Sequence, residues 1–303
     1  MTVDGDYSAR LREGGGAELA EELGLQPVGV RPKLSVYLKA LWSRRQFIWT
    51  MASSNAYARN NNTYLGQGWN ILNPILWAAI YFAVFGVLLG TRRDVQNFLA
   101  FLVIGVFLFR FVSSSFTGGA KAITGNLSLV RSLHFPRAVL PISNTLTEFI
   151  ILMPAIVVMC IIVALSGFVY PDVEGGLRWS WLLLPVAIVL LYLFCTGCAF
   201  LIARLVADVR DLANLLPFVT RVFFYLSGVF YSIEVRFGDA LGPLLPYAEH
   251  QPVALYLYLA RSSMLDEFPI DGTKWLLGVG WAIFFLVGGF LMFWRAEERY
   301  GRD

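Results

Sequence analysis

The chain has 303 residues, of which 57% are hydrophobic, 15% aromatic and 15% charged, and its formal net charge is +3. A mean hydropathy of +0.62 excludes a disordered or highly charged soluble protein and leaves little mass for a water-soluble domain. The positive balance follows from where the basic residues fall rather than from a basic face, so no nucleic-acid partner is implied.

Residues 1–32 are Gly-rich and acidic, with Gly14-Gly15-Gly16 and Glu18, Glu21 and Glu22. Such a segment buries too little apolar surface to offset its ordering entropy, and it reads as a mobile cytoplasmic tail. No signal peptide is expected, because the first apolar run begins some 70 residues in and is too long for one.

Residues 33–70 form the next unit. Polar Lys39, Ser43, Gln46, Thr50 and Ser53 recur at helical spacing, opposite Leu34, Leu38, Leu41, Ile48, Trp49 and Ala52. The polar face keeps this helix from spanning, while Trp42, Phe47 and Trp49 with Arg44 and Arg45 suit the headgroup zone. An interfacial helix on the cytoplasmic side is expected. A soluble helix packed on another subunit is the alternative.

Six apolar stretches follow within residues 71–295: Ile71–Leu89, Phe98–Phe116, Val139–Phe168, Trp181–Val206, Leu212–Ile233 and Trp275–Trp294. Roughly 20 apolar helical residues cross a ~30 Å hydrocarbon core, so each is expected to span. Sixteen Lys and Arg fall before the first stretch, in the second–third and fourth–fifth loops and in the end of the chain from Arg295 on. Six fall on the other side, including the discordant pair Arg92 and Arg93. The excess places both termini in the cytoplasm. Between the fifth and sixth stretches, Ala240–Leu245 and Pro252–Ala260 are too short to cross and are broken by Pro243, Pro246 and Pro252. They suggest a re-entrant helical hairpin, with a plain external loop as the alternative. The expected fold class is therefore all-α integral membrane, with six transmembrane helices, an N-terminal interfacial helix and a short re-entrant hairpin.

Chemistry-bearing residues are few. Cys195 and Cys198 have metal-pair spacing, but a site needs three or four ligands, and these two with Cys160 read as helix-packing residues. Arg110, Glu148 and Arg221 are the charges inside the stretches. A charge in hydrocarbon normally pairs or faces water, so an Arg110–Glu148 ion pair and a place on a substrate path both stand open. Tyr81, Phe85, Phe224, Tyr225 and Tyr231 are candidates for lining such a path, since aromatic faces stack on sugar rings; lipid-facing filler is the other reading. No phosphate-cradling Gly-x-x-x-x-Gly-Lys-Ser/Thr sequence, hydrolase triad or paired carboxylates occur. Transport, if ATP-driven, would draw on another chain. A membrane-embedded polyprenyl-phosphate transferase would want clustered Asp, His or Lys, and Asp208 with Asp211 is a thin set. An ion channel would want a charged ring.

Several motifs carry a resemblance. Arg59-Asn60-Asn61-Asn62-Thr63-Tyr64-Leu65-Gly66-Gln67-Gly68-Trp69, then Asn73-Pro74, resembles the approach to the first span of polysaccharide-exporting type-2 ABC permeases, which include O-antigen, galactan and teichoic acid permeases. Asn126 to Arg137, with Leu140-Pro141, is similar to their second–third loop. Leu226-Ser227-Gly228-Val229-Phe230-Tyr231 is similar to their fifth span, and Gln251-Pro252-Val253-Ala254 to the segment before their sixth. Asn60, Gly228 and Gln251 depart from the usual Tyr, Pro and Asn. Arg59, Leu65, Gly66, Trp69, Pro74 and Ser227 are the residues carried over as family-motif positions. The resemblance implies a non-enzymatic homodimeric permease with no cofactor of its own and two cytoplasmic ATPase subunits that hold ATP and magnesium. It implies a polyprenyl-linked glycan as substrate, such as a cell-wall galactan or an O-antigen; lipid, drug or teichoic acid export is the same-class alternative. It also implies ATPase contact at Arg131, His134, Phe135 and Arg137.

Overall fold

The computed structural model describes residues 32–61, 63–88, 95–133, 135–169, 178–235 and 242–300. The acidic 1–31 segment, His134 and the Arg92–Arg93 pair lie outside them. The described residues form helices and turns with no strand. Five segments are long and apolar enough to cross a bilayer: Gly66–Leu88, Phe98–Thr124, Val139–Gly167, Trp179–Asp208 and Gly272–Arg295. They match five of the six expected stretches to within a few residues at most ends.

Two amphipathic helices, α1 (Leu34–Ser43) and α2 (Arg45–Ala58), precede the bundle. The single expected helix is broken at Arg44, where the backbone leaves helical geometry. The face turned to the protein is Tyr37, Ile48, Ala52 and Ala56, whereas Leu38, Trp42, Trp49 and Tyr57 are exposed. The apolar stripe is thus divided: small residues let α2 lie close on a neighbour, and the aromatics point outward. After a turn at Gly66, whose φ of +49° needs no Cβ, comes α3 (Trp69–Tyr81), continued by a wider π-helical stretch over Phe82–Leu88.

The second span, α4 (Phe98–Thr124), is the hub. A short helix α5 (Leu127–Ser132) leads to α6 (Val139–Val169), then α7 (Leu184–Asp208), introduced by a 3-10 turn over Trp179–Leu183. Helix α4 packs against α3, α6 and α7, and α2 lies along α6. The most apolar windows of α4 and α7 are 78% and 67% buried within the chain, against 17–28% for the other three spans. The two central helices therefore meet protein, while the outer three meet lipid or a partner.

The fifth apolar stretch ends early. Helix α8 covers Leu212–Leu226, and Ser227 caps it with its Oγ donating to the Phe223 carbonyl at 2.5 Å. Gly228 then turns left-handed at φ +62°, so Val229–Ile233 does not extend the helix. At 15 residues the helix rises only ~22 Å, short of a full crossing by itself.

Two helices precede the last span α11 (Gly272–Arg295): α9 (Leu245–His250) and α10 (Pro252–Met264). Nearly all of α10 is buried against α4, α7 and α11. The His250 carbonyl accepts from the Trp281 indole at 3.2 Å, and Tyr256 donates to the Gly278 carbonyl at 2.7 Å. Trp281 lies nine residues into α11, so the α9–α10 corner reaches ~14 Å along that span.

Helices α7 and α11 touch backbone to backbone. A Cβ on Gly197 would lie 2.3 Å from the Phe285 carbonyl carbon, and one on Gly289 would lie 2.2 Å from the Gly197 oxygen. Small residues at such crossings let dispersion contacts replace a hydrophobic drive that lipid does not supply. Cys195 and Cys198 sit beside this crossing as buried free thiols. No group of three or more His, Cys, Asp or Glu able to hold a metal occurs among the described residues.

Candidate functional site: a polar cleft beside the second span

From Ala100 to Ile123 nearly every residue of α4 is buried. The uncovered ones are Arg110, Ser113, Ser114, Thr117, Gly118 and Lys121. Steps of three and four place them on one helical face, a polar stripe running ~16 Å from mid-span to the helix's last turn. Hydroxyls, a glycine and two cations are poor neighbours for lipid, and the stripe borders cavities rather than a smooth surface.

Three adjoining cavities use it as a wall. One of about 530 Å³, toward the Lys121 end, is lined by Arg59, Ser113, Ser114, Thr117, Lys121, Asn126, Asn144 and Glu148. A narrow one of about 70 Å³ lies among Arg59, Asn60, Asn70, Asn73, Pro74, Arg110, Ser114 and Glu148. A groove of about 460 Å³ continues past Pro74, Trp77, Tyr81, Phe109, Arg110, Thr220, Arg221 and Phe224. Together they form a cleft between α3, α4, α6 and α8, polar at one end and aromatic at the other.

Glu148 is buried and both its oxygens accept from Arg59, one at 2.9 Å and the other at closer range. The expected Arg110–Glu148 pair is therefore not the one formed. Helix α2 lies on α6, with Thr147 Oγ1 donating to the Ala52 carbonyl at 3.3 Å, and this delivers Arg59 from the helix end to Glu148. The Glu148 hydrogen bonds hold the Arg59 guanidinium above its ordinary pKa. Alongside, Asn60 donates to Asn70 at 2.7 Å and Asn70 to Gln67 at 2.8 Å. Asn144 donates to the Gly118 carbonyl at 2.8 Å, tying α6 to the stripe. Pro74 lacks an N–H and removes one rung of α3 beside the same cavity.

The expected path residues divide. Tyr81, Arg110, Glu148 and Phe224 line the cleft, with Tyr81 and Phe224 rings 5.3 Å apart and Trp77 stacked on Tyr81 at 5.8 Å. Phe85 instead stacks on Phe230 at 4.0 Å in the apolar core. Tyr225 is exposed on α8. Tyr231, whose hydroxyl donates to the Tyr225 carbonyl, lines a separate cavity of about 710 Å³ near the hairpin. Among motif positions, Arg59 and Pro74 line the cleft, Leu65, Gly66 and Trp69 form the turn into α3, and Ser227 caps α8.

The loop expected to meet an ATPase is itself tied down in part. The Phe135 ring meets Phe47 at 5.9 Å. The Arg137 backbone N–H donates to Glu297 Oε1 at 2.8 Å, and its guanidinium donates to the Glu297 carbonyl at 2.5 Å. Tyr37 donates to Glu297 Oε2 at 2.9 Å and accepts from the Ala138 N–H at 3.0 Å. Thus α1, the second–third loop and the segment after α11 meet at one end of the bundle. Arg131 is exposed on α5.

Sequence reading missed the Ser113–Ser114–Thr117 hydroxyls, although their spacing from Arg110 and Lys121 was a usable signal. It also missed Arg261 of α10, whose guanidinium donates to the Gly228, Val229 and Phe101 carbonyls through tertiary contact alone.

The profile of the ABC-2 type transporter family matches residues 46–236. An O-antigen export system permease protein RfbA from Klebsiella pneumoniae is 28% identical over 180 residues, covering 58% of this chain and 65% of the relative. One of the same name from Myxococcus xanthus is 26% identical over 200 residues, 65% of this chain and 72% of the relative. The chain thus spans about two thirds of the length of the Klebsiella relative. The family match covers α2 through the turn after α8, the segment that builds the cleft: this chain belongs to the ABC-2 type transporter family.

Proposed function

We propose that the chain is the membrane-spanning subunit of an ATP-driven exporter that moves a polyprenyl-linked polysaccharide across a bacterial cytoplasmic membrane. It works as a homodimer with two ATPase subunits, which bind the ATP and magnesium. The observation that carries this is the uncovered polar stripe of α4, continued by the Trp77, Tyr81, Phe109 and Phe224 rings. Hydroxyls, amides and aromatic faces are the groups that hydrogen-bond and stack on sugars. The export role in the relatives' names agrees with that lining.

The sixth crossing is completed by α8 together with the α9–α10 hairpin, which dips from the outer side. Its support is the depth of the His250–Trp281 contact. Both termini are cytoplasmic, as the basic asymmetry requires and as the meeting of α1, Arg137 and Glu297 at one end allows. The ATPase docks on that end, against α5 and the exposed Arg131, with the Arg137–Glu297 junction as its rigid base. A galactan or an O-antigen is the expected glycan.

Deleting the gene and complementing it in the source bacterium tests the proposal. Loss of surface polysaccharide with cytoplasmic accumulation of its lipid-linked form, restored by the full chain, is the expected result. Unchanged surface glycan with altered lipid or drug efflux would replace the substrate assignment by the same-class alternative.

A further inference from the structure

Helices α1 and α2 present a surface that the bundle does not use. Trp42 is 72% and Trp49 59% exposed, with Leu38 also uncovered. Lys33, Lys39, Arg44 and Arg45 stand among them, all four exposed. Lys39 lies three residues before Trp42 and Arg45 four before Trp49, so ring and cation share a side. The Arg45 guanidinium is 5.7 Å from the Trp42 ring centre and donates to the Trp42 carbonyl at 3.4 Å. None of the four cations makes an ion pair among the described residues. From Leu23 to Arg93 the sequence holds no Asp or Glu. Glu297, the carboxylate that α1 does touch, is taken by Tyr37 and Arg137.

Tyr37 also fixes the depth of this surface. Its bond to Glu297 sets α1 beside the residue two past Arg295, where α11 ends. The 24 residues of α11 rise ~36 Å, enough to use up a ~30 Å hydrocarbon core. Helix α1 therefore lies where headgroups begin, a level that favours indole rings. A zwitterionic headgroup satisfies the rings but brings no net charge to four clustered cations. A phosphodiester without a counter-charge brings both.

We infer that the α1–α2 elbow selects anionic phospholipids, with Lys33, Lys39, Arg44 and Arg45 on their phosphate groups and Leu38, Trp42 and Trp49 seated among the upper acyl chains. The inference goes beyond the exporter reading and needs only that the chain spans a membrane.

The test is quenching of tryptophan fluorescence in the full-length chain, held in nanodiscs of equal phosphatidylcholine and phosphatidylglycerol with matched acyl chains. Bromines are placed on the chains of one lipid or the other, and subtracting the W42F/W49F signal isolates these two rings from the remaining tryptophans. Brominated phosphatidylglycerol should quench that share about twofold more than brominated phosphatidylcholine. The excess should vanish in K33Q/K39Q/R44Q/R45Q and at about 0.5 M salt, and it should survive in R44K/R45K. Equal quenching by the two lipids overturns the selection and leaves an ordinary interfacial helix. Quenching by neither overturns the placement. The surface is then covered by protein, and recovery on deleting residues 1–31 would name that segment as the cover. An excess that survives the fourfold replacement, or that salt does not reduce, overturns the assignment to these cations. Should the fourfold variant fail to fold, K33Q/K39Q and R44Q/R45Q are read separately, and an unchanged excess in both overturns it equally. A chain whose deletion leaves surface glycan intact would lose the exporter reading without altering any of these outcomes.

Discussion

Arginines occur in two contrasting settings in this bundle. Arg261 of α10 is buried, lies 3.4 Å over the Phe101 ring, and donates to the carbonyls of Gly228 and Val229 at 3.0 Å and of Phe101 at 3.3 Å. It joins the hairpin, the left-handed turn after α8 and the second span in one knot. The approach is close enough that a Cβ on Gly105 would lie 2.7 Å from both Arg261 Nη2 and the Val229 oxygen. Arg110 and Arg221 line a cavity and have no hydrogen-bond acceptor among the described residues. Backbone carbonyls holding both terminal nitrogens mark a cation that fixes structure. An exposed cation on a polar cleft can be solvated there and is not needed to hold the fold.

Replacing Arg261 should therefore have the largest effect on stability. Arg261→Gln strands carbonyls that the shorter side chain cannot reach, at a cost of about 1–3 kcal/mol for each buried group left unpaired. A large fall in the thermal midpoint of the detergent-purified chain is expected, with Arg110→Gln and Arg221→Gln near wild type. Equal losses for all three would erase the contrast.

An intermediate effect is expected at the Arg59–Glu148 pair. The Arg59 side chain is 43% exposed and that of Glu148 only 8%, so the two truncations are unequal. Arg59→Gln leaves a buried carboxylate without its partner, whereas Glu148→Gln leaves a guanidinium that can turn to water. The first should cost more. Exposure of Arg59 discounts the pair, and a double-mutant cycle should give a coupling of roughly 1–2 kcal/mol for Arg59 with Glu148. Arg110 with Glu148 should couple by less than about 0.5 kcal/mol. A larger coupling for Arg110 would restore the pairing expected from sequence.

That reversal shows what was legible. Apolar run length gave five spans, because hydrocarbon thickness dictates length without reference to neighbours. The early end of α8 turned on one glycine: Gly228 in the place of a proline within an apolar run does not announce a left-handed turn. Glu148 was recognisable as needing a cation. Choosing between Arg110 and Arg59 required knowing that α2 lies along α6, a contact 89 residues apart in sequence. The hydroxyl stripe was readable by period, but only burial of every other face of α4 showed that it was uncovered. Aromatic side chains gave no such clue, since Phe85 in the core and Phe224 in the cleft look alike in sequence.

The smallest expected effect lies at the end of the bundle where α1, Arg137 and Glu297 meet. Burial first of all pushes the Glu297 carboxyl above the usual carboxylate range, while the Arg137 N–H, the Tyr37 hydroxyl and the Arg137 charge pull it back. With the folded value above the unfolded one, the native chain binds more protons than the unfolded chain between the two. Stability from this group is then fully present below the ordinary carboxylate value and declines as pH rises through the folded value. Glu297→Gln removes the titration and keeps an oxygen able to accept from Tyr37 or Arg137. Thermal midpoints measured from pH 4 to pH 8 should fall slightly more for wild type than for Glu297→Gln. The difference should stay below either preceding effect, because the two hydrogen bonds and the Arg137 charge compensate much of the burial. A steeper fall in the Gln variant would mean that the ionised carboxylate, held by Arg137 and Tyr37, is the form this junction was built to stabilise.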